Sequence, residues 1–175
     1  MTQPNQPRIV GLDLSITATG VAAHDGTTRT IKPGSNGDRR LVEIRDCVGL
    51  VVGGAIDLVV IEDLPTHAKA AGITGMVHGA VRSALILWGI PYVLVTPASL
   101  KKYATGKGNS GKPEMAVAAF KRAGREFADD NQCDAFWLRA MGLEYLGHPI
   151  AEMPAAQRAA LAAVKWPQLS MAVAA

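Results

Sequence analysis

Apolar residues fall into two patterns along the chain: short continuous or alternating runs, and stripes recurring every three or four residues. Residues 8–15 (RIVGLDLS) predict a buried strand that opens the fold. Residues 19–24 (TGVAAH) and 29–32 predict two more, with a hairpin signal at Asp25 and Gly26 between them. The stretch KPGSNG at 32–37 breaks the pattern. A helix is expected over about 38–53, with Leu41, Ile44, Val48 and Val51 on one face. Residues 57–61 (DLVVI) form a continuous apolar run of the kind buried inside a sheet. Further elements are a helix over about 68–88, a strand at 90–95, a polar, glycine- and lysine-rich segment at 96–112, and helices at 113–125 and 130–146. Pro113 suits the first turn of its helix. Residues 154–165 predict a short alanine-rich helix. The order β-β-β-α-β-α-β-α-α implies an α/β domain, with a hairpin joined to parallel strands and helices on the faces. Residues 1–150 are assigned to this domain and 151–175 to a short C-terminal helical extension or tail.

Composition adds bounds rather than a function. The 175 residues are 49% hydrophobic and 19% charged, which suits one domain with a sizeable core. The two cysteines, Cys47 and Cys133, make no disulfide framework and lack metal-ligand spacing. With no apolar leader region at the N-terminus, the expected location is cytoplasmic. Glycines and Asp57 interrupt the longest apolar stretches, so no membrane span is expected.

Several carboxylates stand in unusual places. Asp13 lies within an otherwise apolar strand, and Glu62 ends the run LVVIED. In open α/β sheets, ligands gather at the carboxyl ends of strands. Acids at the start of the 130–146 helix can supply the remaining groups. Clustered carboxylates without nearby His or Cys suit Mg²⁺, with Mn²⁺ as a substitute. Two such ions can clamp the attacking and leaving oxygens of phosphodiester cleavage. On the helical wheel Asp130 lies about 40° from Asp134, whereas Asp129 lies about 140° away. Asp129 stands three residues before Gln132, the spacing of a capping box in which Gln132 reaches back to the cap. Asp63 is expected to point away from Glu62.

A net charge of +3 hides a local basic surface. Lys101, Lys102, Lys107, Lys112, Lys121, Arg122 and Arg125 stand against one acid, Glu114, between positions 101 and 125. Such a segment favours phosphate contacts, with Lys101, Lys102, Lys107, Lys112 and Arg122 as the DNA-binding candidates. Tyr103 either stacks on a base or packs in the core. Gly72, Gly75 and Gly79 permit close helix approach, within the chain or between two copies. His67 and His78 read as surface or packing residues, and His24 and His148 have no evident partners. Trp137, Leu138 and Met141 read as core.

Residues 8–146 resemble the RuvC-like Holliday junction resolvases of the ribonuclease H-like superfamily. The resemblance rests on GLDLSITATGVA, VVIEDLP, SLKKYATGKGNSGK and DDNQCDAFWL in that order. It implies a mixed five-stranded sheet with helices on both faces. It also implies two Mg²⁺ ions held by four carboxylates: Asp13, Glu62, Asp134 and a partner acid. Lys101 and Lys112 fall on the family's important lysines, with Lys112 offsetting transition-state charge. The implied activity is structure-selective endonuclease cleavage of four-way or branched DNA by paired nicks. That places the chain in recombination, repair or phage DNA processing. The implied assembly is a homodimer through the 68–88 helix. Three positions depart from the bacterial pattern. Asn131 stands where the partner acid is expected, and Asp130 is the nearest substitute. Ser15 replaces a glycine, and Pro65 replaces a phenylalanine that disturbs base stacking. The variant pattern resembles bacteriophage members. Alternatives are a monomeric RNA-processing nuclease of the superfamily and a non-catalytic nucleic-acid-binding module. The chain is too short for a two-lobed actin-like phosphotransferase.

Overall fold

The computed structural model describes residues 6–64 and 71–169. Pro65, His67 and the first residues of the expected 68–88 helix lie outside the described residues.

Five strands form one sheet in the order β3-β2-β1-β4-β5. The strands are β1 (Ile9–Asp13), β2 (Thr19–Ala22), β3 (Thr28–Ile31), β4 (Leu58–Glu62) and β5 (Tyr92–Val95). β1, β4 and β5 run parallel, while β2 and β3 form an antiparallel hairpin on β1. The turn between β2 and β3 passes through Gly26 at φ +90, a conformation that favours glycine.

Side chains alternate across the sheet, and two apolar cores result. Ile9, Leu58, Val60, Val93 and Val95 point to one face. Val10, Leu12, Val59 and Ile61 point to the other, with Ile44, Val48 and Val52 of α1 (Arg39–Val52) and Val77, Val81 and Leu85 of α2 (Ala71–Leu87). The first face is covered by α3 (Pro97–Thr105), α4 (Lys112–Ala123) and α5 (Asp130–Tyr145). Helices therefore cover both faces of a mixed sheet, as the resemblance implies.

The segment 96–112 departs from the expected polar loop, because α3 occupies most of it. Thr96 caps this helix, accepting from the Ser99 amide at 3.2 Å, and Pro97 occupies its first turn. Leu100, Tyr103 and Ala104 bury one side, and left-handed Gly106 ends it. Tyr103 belongs to the core. Its ring meets Trp137 edge-on at 5.9 Å, and its hydroxyl donates to Glu144 at 2.7 Å. α6 (Ala155–Arg158) and a 3₁₀ turn (Ala159–Ala163) follow, with Met153, Ala160 and Val164 packed into the same core. Arg158 pairs with the buried Glu144. Among the described residues, no helix is long and apolar enough to cross a membrane.

Two expectations at element ends need correction. Asp13 ends β1 rather than lying within it. Thr19 Oγ1 donates to the Ser15 carbonyl at 2.7 Å and accepts from the Ser15 amide at 3.1 Å, pinching the chain into a tight loop. Asp129 caps α5, accepting from the Gln132 amide at 3.0 Å, but Gln132 does not complete a capping box. Its amide group bonds Thr28 and Thr30 of β3, which lie close enough to compete for it. His24 also has a partner, with Arg8 Nη2 3.0 Å from its Nε2.

Candidate active site

Parallel pairing decides where two of the acids go. Leu12 of β1 stands opposite Ile61 of β4, so one residue further along Asp13 stands beside Glu62. Alternation sends both to the α5 face, together with Ile9 and Leu58. Both therefore end their strands at the carboxyl edge of the sheet.

The third acid arrives because α5 lies unusually close to the strands. A Cβ on Gly11 would fall 2.0 Å from the Ala135 carbonyl oxygen. A Cβ on Gly20 would fall 2.0 Å from that of Asn131. Only glycine lets the first turns of α5 rest on β1 and β2 with no side chain between. Asp134, next to Ala135, is thereby held against the strand ends. One carboxylate oxygen each from Asp13, Glu62 and Asp134 lie within 4.8 Å of one another.

The electrostatics follow from crowding and burial. Burial is the main cause at all three sites. With the neighbouring Asp134 charge it raises Asp13 from 3.8 to about 7. Burial, then the charges of Asp13 and Asp134, raise Glu62 from 4.5 to about 8. The two carboxyls act on each other, and their contact pushes Glu62 further up than Asp13. Asp134 is raised to about 6, the nearby Lys112 and Lys101 limiting the rise. Three half-buried oxygen donors with excess negative charge fit a hard divalent cation. Nitrogen and sulfur ligands are not part of the group.

The other expected site residues are distributed around this cluster. Asp130 lies outside the three-acid group and forms an ion pair with Lys112 at the rim. Lys112 opens α4 and also acts on Asp13 and Asp134. Lys101, on α3, acts on Glu62 and Asp134. Lys102 is exposed on the same helix. Lys107 and Arg122 line a groove of about 700 Å³ between α3 and α4, with Lys121 beside them. Asp129 turns away toward β3 and accepts from Thr30 at 2.6 Å. Burial works against its ionisation, but the Thr30 hydroxyl and Gln132 amide outweigh it and hold the carboxyl below its ordinary range. Asp63 accepts from the Leu64 amide at 2.8 Å and is not in the acid group.

The polar contact of Tyr103, Glu144 and Arg158 was not signalled by the sequence pattern. It ties the helix carrying Lys101 to the one carrying Asp134. Its only cue is a glutamate inside an otherwise apolar helical stretch.

No family model and no curated protein matches the sequence. Solved structures do match by shape. Thermus thermophilus RuvC is similar over 83% of this chain and 99% of its own, at 21% identity and a TM-score of 0.62. The structure of T. thermophilus RuvC in complex with Holliday junction substrate is similar over 85% of this chain and all of its own, at 22% identity and 0.65. The chain thus has a RuvC-like, ribonuclease H-like fold, with a three-carboxylate cluster at the carboxyl edge of its two central parallel strands.

Proposed function

We propose that this protein is a divalent-metal-dependent DNA endonuclease that resolves Holliday junctions or other branched DNA by paired nicks. The observation that carries the reading is the convergence of Asp13, Glu62 and Asp134 within 4.8 Å, flanked by Lys101 and Lys112. The fold shared with RuvC, solved in complex with Holliday junction substrate, supports the choice of DNA.

Asp13, Glu62 and Asp134 would hold Mg²⁺, or Mn²⁺ in its place, with Asp130 as the further acid at the rim. Ions bound there would activate water and neutralise charge developing on the leaving oxygen. Burial and crowding disfavour three ionised carboxylates without a counter-charge, and a bound cation would offset that cost. Lys101 and Lys112 bind the phosphate beside the acids, and Lys112 offsets charge in the transition state. Lys102, Lys107 and Arg122 extend the phosphate contacts along α3 and α4.

The same reading makes the protein a homodimer through α2. Ile73, Met76, Ile86 and Leu87 are exposed on α2, and Leu87 is 84% accessible. Trp88, which follows α2 and lies against Gly49 of α1, and Leu50 of α1 are exposed as well. A second copy covers these side chains and places a second acid cluster for the opposing strand.

The test is incubation with a four-way junction, with and without Mg²⁺, and mapping of the nicks. Symmetric paired nicks that Asp13→Asn abolishes support the reading. Mg²⁺-independent cutting, random nicking, or preferential cleavage of structured RNA overturns it.

A further inference from the structure

α4 carries more apolar surface than its packing uses. Its inner side buries Met115 and Ala119. Val117 and Phe120 lie elsewhere on the helix and are 50% and 57% exposed. Lys112, Lys121 and Arg122 lie on the same helix with one acid, Glu114, so the ridge is an apolar strip on a helix of mainly basic charge. The ridge overlooks a cleft of about 620 Å³ between α4 and the start of α5. Met115 and Phe127 line the cleft, and Arg125 stands at its side, its guanidinium 5.8 Å from the Phe127 ring centre.

Position and charge specify the occupant. Asp134 and Lys112 line this cleft and also belong to the acid cluster and its rim. A strand whose phosphate is held at the cluster therefore runs past the cleft mouth. Glu126, Asp129 and Asp130 also line the cleft, so a second phosphate is repelled from its interior. A nucleobase is not repelled. Its flat face suits Phe120 and the Arg125 guanidinium, and its ring N–H groups suit the Glu126 carboxylate.

We infer that this cleft receives an unstacked base, one nucleotide removed from the phosphate at Asp13, Glu62 and Asp134. The position of that phosphate rests on the nuclease reading above. A base inside a continuous duplex cannot enter, whereas one at a branch point or in a single strand can. Phe120 and Val117 thus select for distorted DNA, while the lysines bind phosphate without regard to structure.

The experiment uses four-way junctions with 2-aminopurine at successive positions next to the branch, in Ca²⁺ to hold cleavage off. Fluorescence reports unstacking, and anisotropy gives affinity for the junction and for matched duplex. The expected result is a fluorescence rise at one position with the wild-type chain. Phe120→Ser combined with Val117→Ser removes it and lowers the junction-to-duplex affinity ratio about tenfold. Phe120→Trp preserves both. Both substituted side chains are exposed, and an unchanged melting temperature establishes that the double variant folds. A double variant that unstacks and discriminates like wild type overturns the inference, as does a wild-type chain that unstacks no base. Nicking in Mg²⁺ is scored separately. A wild-type chain that never nicks, yet shows the Phe120-dependent signal, refutes the nuclease reading and upholds the base site.

Discussion

Lys112, in the first turn of α4, forms an ion pair with Asp130, in the first turn of α5. The pair joins the basic surface to the rim of the acid cluster, and it separates two aspartates adjacent in sequence. Asp129 is engaged as a cap and bonded to Thr30. Asp130 is the one turned to Lys112. Asp130→Asn is therefore expected to lower the Mg²⁺-dependent cleavage rate by about 10²-fold, with Lys112→Ala similar. Asp129→Ala is expected to cost about 1 kcal/mol of stability and to leave cleavage largely intact. Single-turnover rates and thermal melts on the variants distinguish the two roles. Loss of cleavage in the Asp129 variant alone reverses the assignment.

The acid cluster predicts a particular pH dependence for the metal-free protein. Folding raises Asp13 to about 7 and Glu62 to about 8, from 3.8 and 4.5. Between those limits the folded chain binds more protons than the unfolded one, so this contribution to stability falls as pH rises. It is fully present below about pH 4 and lost through about pH 7 to 8. Glu62→Gln is expected to stabilise the metal-free protein at pH 8 by roughly 1–3 kcal/mol. Mg²⁺ is expected to raise the wild-type melting temperature at that pH and to leave Asp13→Asn nearly unchanged. Calorimetry at pH 5 and pH 8, with and without Mg²⁺, reads both effects. A wild-type cluster that gains stability between those pH values in the absence of metal contradicts the geometry.

Phosphate contacts from α3 and α4 make DNA affinity depend on salt. Replacing Lys102, Lys107 or Arg122 with Ala is expected to reduce the slope of log affinity against log salt by about 0.9 per lost contact. The loss should be alike for junctions of different sequence, because these side chains read backbone rather than bases. Titrations at several salt concentrations measure the slope. An unchanged slope in all three variants removes this face from the binding surface.

Glu144 is buried and has two partners, the Tyr103 hydroxyl and Arg158. Arg158→Ala leaves its charge beside a single neutral donor. A loss of about 1–3 kcal/mol is expected at neutral pH, shrinking in Glu144→Gln, which removes the charge as well. Denaturant unfolding of the two single variants and the double variant gives the coupling. Strict additivity would show that the pair contributes nothing.

Strand and helix positions were legible because each follows from local periodicity. Short apolar runs in residues 8–15 and 57–61 identify β1 and β4, and the 3.6-residue stripe of 38–53 identifies α1. The cap at Asp129 was equally local. α3 was hidden because its lysines and flanking glycines read as loop. Thr96 and Pro97, its cap and first turn, carried the local signal that could have revealed it.

The sequence by itself determined which residues are acidic, that Asp63 points away from Glu62, and that basic residues gather between 101 and 125. It did not determine which acids meet. Asp13 and Glu62 are adjacent only because β1 and β4 pair in parallel with Leu12 opposite Ile61, a register set between distant parts of the chain. Asp134 joins them only because Gly11 and Gly20 let α5 rest directly on β1 and β2. Periodicity is a property of neighbours along the chain and survives without the fold. Convergence depends on pairing and close packing, so the tertiary structure decided it, drawing three acids together and leaving Asp130 with Lys112.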